Sequence, residues 1–282
     1  MGKCRFCHQK AGLFQDSHEA CVEKAETNRK LLEEIMTAAL KNEANFAAVK
    51  PSIDLAKSAG RLSDAEARLV LINSLDKVSQ KVAAETPISN EAFERIYELY
   101  LGIGYNFQSL EIKQNHWYGY IALAMSNVLY QILHGQLPYY DPTGRMSFQL
   151  THQERPIFST GRTVLAEYKS ISSQSVYQSV GLPIGAGLYY RIGASSTPSY
   201  QTGLVPSDEG ELLLTTKAIY FGGQKSTFKI TYDSILRLES FLDGVGIFQH
   251  YGSGKVFIPD YSGMDTGWFF YNLVSALTKL NN

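Results

Sequence analysis

Four residues near the start of the sequence constrain this chain more than any other feature. Cys4 and Cys7 form a C-x2-C pair, and His18 and Cys21 form an H-x2-C pair after a ten-residue spacer. No cysteine occurs elsewhere in the sequence. Two close pairs of thiolate and imidazole ligands joined by a short loop are what a tetrahedral zinc site requires. The spacing therefore predicts a zinc finger, and four protein ligands predict that its Zn2+ is structural.

Two other interpretations of these residues stay open. Three free cysteines with an incidental histidine would need no metal. His8 could also replace His18 as the fourth ligand, although three ligands would then crowd into five residues. The H-x2-C pair suits the first turn of a helix, where residues three apart share a face. Asp16 and Glu19 predict a capping box that starts this helix.

The composition limits the compartment and the kinds of partner. The 282 residues are 44% hydrophobic and 19% charged, and their formal net charge is −1. The chain as a whole therefore has no field that draws it to nucleic acid or membranes, and any attraction must come from a local patch. Cysteines and charges occupy the place of a signal peptide's apolar region. Thiols at metal spacing predict a reducing, cytoplasmic location.

The segment after the cysteines has the pattern of helices. Apolar residues recur at three- and four-residue steps, which predicts one long helix from Glu19 to about Ala48. Pro51 interrupts the pattern. Two further helices are predicted to open at the capping residues Ser63 and Ser89.

Residues 114–140 contain no aspartate, glutamate, lysine or arginine, which raises the question of whether this segment could cross a membrane. The apolar part, 117–133, has only 17 residues and includes Ser126, Asn127 and Gln131. A spanning helix needs about 20 mostly apolar residues. The segment therefore predicts a buried or interface helix and no transmembrane segment. Together with the long first helix, it offers enough apolar surface to predict a homo-oligomer.

After Pro142, short alternating runs replace the helical pattern, with glycine, serine, proline and aspartate between them. Such runs are typical of an antiparallel sandwich or barrel. A last segment, Thr266–Leu280, is helical again. The runs are Met146–Leu150, Ile157–Tyr168, Gly187–Ile192, Glu211–Thr215, Ala218–Phe221, Thr227–Thr231, Leu236–Phe241, Gly246–His250 and Lys255–Ile258.

Four segments of this last part share a recognisable order. Gly210–Phe221 is a strand ending in Leu-Thr followed by an aromatic strand, Phe228–Ile230 is a basic-apolar strand, and an isoleucine-led return runs through Ser234–Leu236 and Asp243–Ile247. In this order, residues 210–280 resemble a bacterial PH-like or GRAM-like domain. Gly187–Gly193 resembles the preceding strand of the same family.

These observations predict an α+β fold with three parts. Residues 1–24 are predicted to form a small CCHC zinc finger on a long helix, and residues 25–140 a helical middle domain. Residues 141–282 are predicted to form an antiparallel PH-like or GRAM-like β domain closed by a C-terminal α-helix.

This combination of domains is similar to the ring-activated zinc-finger RNases of bacterial antiphage defence. The resemblance implies a latent RNase, activated by a ring-forming phage protein such as the portal, whose finger region contacts and cleaves RNA. It carries the ligand role to Cys4, Cys7, His18 and Cys21, but it carries no catalytic residue, because no motif fixes one. A non-enzymatic interaction or scaffold protein is the alternative.

Basic residues lie close to the predicted ligands. Lys3, Arg5 and Lys10 occur in the first 15 residues without an acid among them, and Phe6 and Phe14 are interleaved. Basic groups attract phosphates and aromatic faces stack unpaired bases, so this pattern predicts binding of single-stranded RNA. The two phenylalanines could equally form the core of the finger, with the cations serving solubility.

RNA cleavage without a catalytic metal needs a base, an acid and a cation. His8 is the candidate base or acid, and Lys10 and Arg5 are candidate cations. His8 and Lys10 are therefore the candidate catalytic residues, with Glu19 as another possible base. A surface histidine without a role is the alternative interpretation of His8.

The lysines of the PH-like region do not predict a membrane-binding face. They are spread along the sequence, and aspartates and glutamates offset them. These lysines are Lys217, Lys225, Lys229 and Lys255.

Overall fold

A computed structural model of the chain describes residues 2–12, 15–105, 118–138, 148–171, 182–184, 188–190, 201–260 and 266–281. The chain consists of two compact units, residues 1–130 and residues 131–282. The finger and most of the helices belong to the first unit, and the sheet belongs to the second. The predicted boundaries at residues 24 and 140 divide the chain more finely and stay predictions.

The described helices after the finger begin at polar caps. Ser63 forms the predicted capping box with Glu66, and the Ser89 side chain accepts a hydrogen bond from the Ala92 amide at 3.2 Å. Both predicted helices are therefore confirmed. The helices are α1 (Glu19–Lys41), α2 (Phe46–Gly60), α3 (Asp64–Glu85), α4 (Asn90–Gly102) and α5 (Tyr118–Leu133).

The long first helix predicted to reach Ala48 is wrong, because the chain forms two helices there. Glu43 has a left-handed backbone conformation with a φ of 55°, which ends α1. The Asn45 side chain accepts a hydrogen bond from the Ala48 amide at 3.0 Å and begins α2. Pro51 lies inside α2 and not at its border. A capping side chain thus sets the helix start upstream of the proline.

Helix α5 covers residues 118–133 of the uncharged segment and buries much of its apolar surface, while 114–117 and 139–140 lie outside the described residues. Its Ser126 hydroxyl accepts from the Ile88 amide and donates to the Thr86 carbonyl, both at 3.1 Å. The Asn127 side-chain amide donates to the Ile88 carbonyl at 3.0 Å. These polar groups hold the loop between α3 and α4, which explains why they interrupt an apolar segment. The buried apolar residues of α5 are Ala122, Leu123, Met125, Leu129 and Ile132.

Among the described residues, no helix is both long enough and apolar enough to cross a membrane.

The second unit is built on a seven-stranded antiparallel sheet with the order β6-β5-β4-β1-β9-β8-β7. Strands β6 and β7 follow each other in sequence but lie at opposite edges, so the sheet curls at the 3-10 turn Tyr232–Ser234 between them. The strands of the sheet are β1 (Pro156–Ile171), β4 (Gln201–Thr215), β5 (Ala218–Gly223), β6 (Thr227–Thr231), β7 (Ile235–Ser240), β8 (Val245–Gln249) and β9 (Lys255–Pro259).

Two predicted strands differ from the structure. Leu188–Tyr190 forms strand β3, which pairs with β2 (Leu182–Ile184) in a separate ribbon. The strand that precedes β4 in the large sheet is therefore β1 and not Gly187–Gly193, whose remaining residues lie outside the described part. Residues 148–150 form no strand, and Met146 lies outside the described residues.

The C-terminal helix α6 (Gly267–Asn281) supplies the aromatic core of the second unit. The centroid of the Phe158 ring lies 5.0 Å from that of Phe269 and 5.8 Å from that of Phe270. The side chains of Phe269 and Phe270 are fully buried. Helix α6 begins against the backbone of Phe241, whose carbonyl oxygen would collide with any Cβ at Gly267. The predicted mixture of helices, antiparallel sheet and C-terminal helix is therefore confirmed.

Candidate metal centre and basic finger surface

The four predicted ligands come together in space. One ligand atom from each of Cys4, Cys7, His18 and Cys21 lies within 4.8 Å of the others. His18 Nδ1 is 3.3 Å from Cys7 Sγ and 3.8 Å from Cys21 Sγ. Metal bonds of about 2.3 Å to sulfur and 2.0 Å to nitrogen place neighbouring ligands of a tetrahedral zinc ion roughly 3.5–3.8 Å apart. The group therefore fits a tetrahedral metal ion, and the exposed His8 is not part of it.

A tight turn positions the first pair of ligands. The Cys4 amide donates to the Gln9 carbonyl at 2.7 Å, and the His8 amide donates to the Cys4 carbonyl at 2.8 Å. His8 has a left-handed backbone with a φ of 58°, which is uncommon for a residue with a side chain. This turn reverses the chain directly after Cys7, so both sulfurs can face the same point.

The second pair of ligands lies at the start of α1. His18 is the residue before the helix, and its carbonyl accepts the Cys21 amide at 3.0 Å. The capping box predicted from Asp16 and Glu19 is wrong, because His18 occupies the cap position and makes no side-chain cap bond. The Asp16 carbonyl instead accepts the Arg5 amide at 2.9 Å, which joins the two halves of the finger.

A further contact orients the His18 ring. Its Nε2 atom lies 3.0 Å from the Lys10 carbonyl oxygen. A carbonyl only accepts, so Nε2 carries the proton and donates, which leaves the Nδ1 lone pair free to bind a metal. Histidine ligands of metal ions commonly donate their second nitrogen in this way.

The thiols perturb each other as a set of metal ligands does. Burial raises the pKa of Cys4, but hydrogen bonds from the backbone amides of Cys7, His18 and Phe6 outweigh this effect and lower that pKa to about 6. Burial raises the pKa of Cys21, and so do its contacts with Cys7 and Cys4. A divalent cation relieves this repulsion by stabilising all the thiolates at once. The donor set therefore suits a soft divalent metal ion.

The predicted RNA-binding and catalytic residues all lie on the surface of the finger. Lys3, Arg5, His8 and Lys10 are exposed. Phe6 is only 5% exposed, and the Arg5 guanidinium carbon lies 4.7 Å from its ring centroid. Phe6 therefore belongs to the small core of the finger and offers no face for a base, while Phe14 lies outside the described residues.

The lysines of the sheet have partners within their own unit. Two donate to carbonyl oxygens, one pairs with a buried carboxylate, and one lies over an aromatic ring. The contacts are Lys217 Nζ to His152 O at 3.1 Å, Lys225 Nζ to Ser207 O at 3.0 Å, Lys229 Nζ to Glu154 at 3.5 Å and Lys255 Nζ to the Phe228 ring at 5.2 Å.

Glu154 is an important residue that the sequence interpretation missed. Its buried carboxylate accepts from the Thr215 hydroxyl at 2.5 Å, the Tyr220 hydroxyl at 2.9 Å and the Thr151 hydroxyl at 2.7 Å. Burial alone raises the pKa of Glu154, but these hydrogen bonds outweigh it and lower that pKa to about 2. No sequence pattern could have identified it, because its partners on the sheet lie more than sixty residues away.

Comparison with known proteins adds little to this geometry. No family model matches the sequence, and no curated protein matches it. The crystal structure of an N-terminally truncated linker-DH/PH fragment of p115-RhoGEF aligns with 94% of this chain and 73% of its own, at 9% sequence identity and a TM-score of 0.26. A TM-score this low does not establish a shared fold, so function is inferred from the chain's own residues.

Proposed function

We propose that this chain is a latent RNase of bacterial phage defence whose zinc finger contacts and cleaves RNA. The observation that carries the proposal is the finger surface, where Lys3, Arg5, His8 and Lys10 are exposed beside the cysteine and histidine cluster. Zn2+ is the proposed metal because thiolate and imidazole ligands at tetrahedral distances suit it. Four protein ligands leave no open position, so its role is structural.

The proposed chemistry is transesterification by side chains of the finger, in which the structural zinc ion takes no part. His8 takes the proton of the ribose 2′-hydroxyl, and the 2′-oxygen attacks the phosphorus. Lys10 and Arg5 stabilise the negative charge of the phosphorane. The bond from phosphorus to the 5′-oxygen breaks, and that oxygen takes a proton from solvent water, while protonated His8 returns its proton to the solvent. The products carry a 2′,3′-cyclic phosphate and a 5′-hydroxyl.

The second unit is the proposed sensor of a ring-forming phage protein such as the portal. Its strand order and its closing helix α6 support a PH-like or GRAM-like assignment. Lys217, Lys225, Lys229 and Lys255 have partners within the unit, which favours a protein ligand over an anionic membrane. We place the protein in the cytoplasm as a homo-oligomer. Five apolar residues of α5, which are Ala122, Leu123, Met125, Leu129 and Ile132, are buried within the chain and cannot supply its interface.

A non-enzymatic interaction protein is the second candidate. The closed set of four ligands favours it, because a metal bound there activates no water. The finger and the sheet would then be two interaction modules.

The test uses His8→Gly in the full chain, because glycine suits the left-handed backbone while the imidazole is lost. Wild type, His8→Gly and the control His250→Gln, another exposed histidine, are mixed with assembled phage portal and single-stranded RNA. Mass spectrometry identifies the product ends. We expect cyclic phosphate ends from the wild type and the control, and none from His8→Gly.

Two results would count against the proposal in different ways. Intact RNA in a mixture where the wild type has bound the portal ring would leave the interaction protein as the function. Cleavage by His8→Gly at the wild-type rate would remove His8 from the mechanism but leave the RNase.

A further inference from the structure

We propose that Lys3 and Lys10 together hold one backbone phosphate of single-stranded RNA. This phosphate-binding pair rests on the proposed RNA contact and deepens it, because it names the chemical group that is bound. A free phosphate and a phosphate of an RNA strand would present the same anion to the two lysines. Because the pair lies on an exposed ribbon, we assign the phosphate to an RNA strand.

The two lysines are paired across the ribbon of the finger. Lys3 and Lys10 form an antiparallel bridge. On either side of it, the Cys4 amide donates to the Gln9 carbonyl at 2.7 Å and the Ala11 amide donates to the Gly2 carbonyl at 2.9 Å. This pattern makes the lysines a non-hydrogen-bonded pair, whose Cα atoms lie about 4.5 Å apart with both side chains on one face. It is the closest cross-strand arrangement that two side chains can have.

The two positive charges of this pair favour binding of an anion. Like charges directly opposite each other destabilise a strand pair. In the part of the chain that the structure describes, neither Lys3 nor Lys10 forms an ion pair with a carboxylate. A phosphate accepts hydrogen bonds from both ammonium groups and removes their repulsion.

The metal ligands fix the spacing of the pair. Lys3 precedes the ligand Cys4, and the Lys10 carbonyl accepts a hydrogen bond from the His18 ring at 3.0 Å. Loss of the metal releases both constraints. Phosphate binding by the pair therefore depends on the bound metal.

Among the described residues of the finger, Phe6 is the candidate ring for stacking a base, and it is buried. A base cannot stack on a ring that is 5% exposed and covered by the Arg5 guanidinium. The pair therefore recognises the phosphate and not the base. We expect equal affinity for single strands of different base composition.

The test measures binding of fluorescent single-stranded RNA to the full-length, zinc-loaded chain at several salt concentrations. The variants are Lys10→Gln and Lys10→Glu, and the control is Lys30→Gln, an exposed lysine on α1. Each phosphate contact contributes about −0.7 to the slope of log affinity against log salt for single strands. Lys10→Glu, which cancels the charge of the pair, should therefore make the slope shallower by about 0.7, and Lys10→Gln, which leaves Lys3 facing the phosphate, should change it by less. Lys10→Glu should bind more weakly still, yet keep its zinc at least as well, because opposite charges across the bridge stabilise the ribbon.

The outcomes separate the pair from the RNase. RNA that binds with these slopes but is not cleaved with the portal ring supports the pair and overturns the RNase. Unchanged affinity and slope in Lys10→Glu would overturn the pair while leaving cleavage to be judged by the His8 variant. Inorganic phosphate is the second probe. Stronger retention of zinc in inorganic phosphate, without RNA binding, would assign the pair to a free phosphate and overturn the RNA source.

Discussion

The cations of the finger and those of the sheet are placed in opposite ways. In the sheet, Lys229 lies 3.5 Å from the buried carboxylate of Glu154, and Arg162 pairs with Glu209 at 2.6 Å. In the finger, Lys3 and Lys10 face each other across an antiparallel bridge. A cation paired within the fold contributes to stability, whereas cations placed against each other cost stability unless a ligand joins them. The cations of the sheet therefore contribute to folding, and the arrangement in the finger supports the proposal that its lysines bind an anion.

Loss of a metal ligand should have the largest effect on this contrast. Cys21→Ser removes a sulfur from the four-ligand group. Because binding of structural zinc contributes about 10–16 kcal/mol in small fingers, we expect the finger to lose its metal and unfold. Elemental analysis and hydrogen exchange check this, with Ser17→Ala as the control near the site. Full metal content in Cys21→Ser would show that the group is not the metal site.

Neutralising the buried carboxylate of the sheet should have the next largest effect. The pKa of Glu154 is about 2 in the folded chain against an ordinary 4.5, so the folded state binds fewer protons. The stability that this difference supplies is present above pH 4.5 and is lost as the pH falls towards 2. Glu154→Gln should cost on the order of 3 kcal/mol at neutral pH and flatten this acid dependence.

Urea unfolding at pH 6 and pH 3 measures the effect of Glu154→Gln. Asp243→Asn, at an exposed position of the same unit, is the control. Equal acid dependence in the wild type and Glu154→Gln would mean that this carboxylate does not hold the sheet.

An exposed cation of the sheet should matter less. Arg162 donates to Glu209 at 2.6 Å and to Asp260 at 3.3 Å, but its side chain is 60% exposed. Solvent screens such pairs, so Arg162→Gln should lower the free energy of unfolding much less than Glu154→Gln does. The loss should shrink further in high salt. A loss as large as that of Glu154→Gln and independent of salt would contradict this assignment.

The smallest effect, with the opposite sign, is expected for a lysine of the finger. Lys3→Gln removes one of two like charges from the bridge. The finger should therefore become more stable by a few tenths of a kcal/mol in the absence of RNA. Zinc competition with a chelator measures this against Lys30→Gln. Weaker zinc retention in Lys3→Gln would show that the lysine has a structural partner.

The cluster of candidate metal ligands could be predicted from the sequence, but its surroundings could not. The ligand spacing predicted Cys4, Cys7, His18 and Cys21, because both pairs are local and their chemistry is restrictive. The bridge between Lys3 and Lys10 could not be predicted, since its register depends on hydrogen bonds that form only when the turn at His8 closes.

The helices and strands show the same limit. Caps such as Ser63 are local, so the helices that they begin were predicted. The break between α1 and α2 was assigned to Pro51, because a proline is a stronger signal than an asparagine cap. Most strands of the sheet were predicted from alternation, but their order was not. The pairing of β1 with both β4 and β9 joins residues far apart in the chain.

The most direct test of the account is RNA binding by the full-length chain before and after removal of its metal. One zinc ion per chain should be released by a chelator, and the affinity for single-stranded RNA should fall with it while the sheet stays folded. Added zinc should restore both. RNA binding of equal strength in the metal-free chain would contradict the claim that the cysteine and histidine cluster holds the RNA-binding surface.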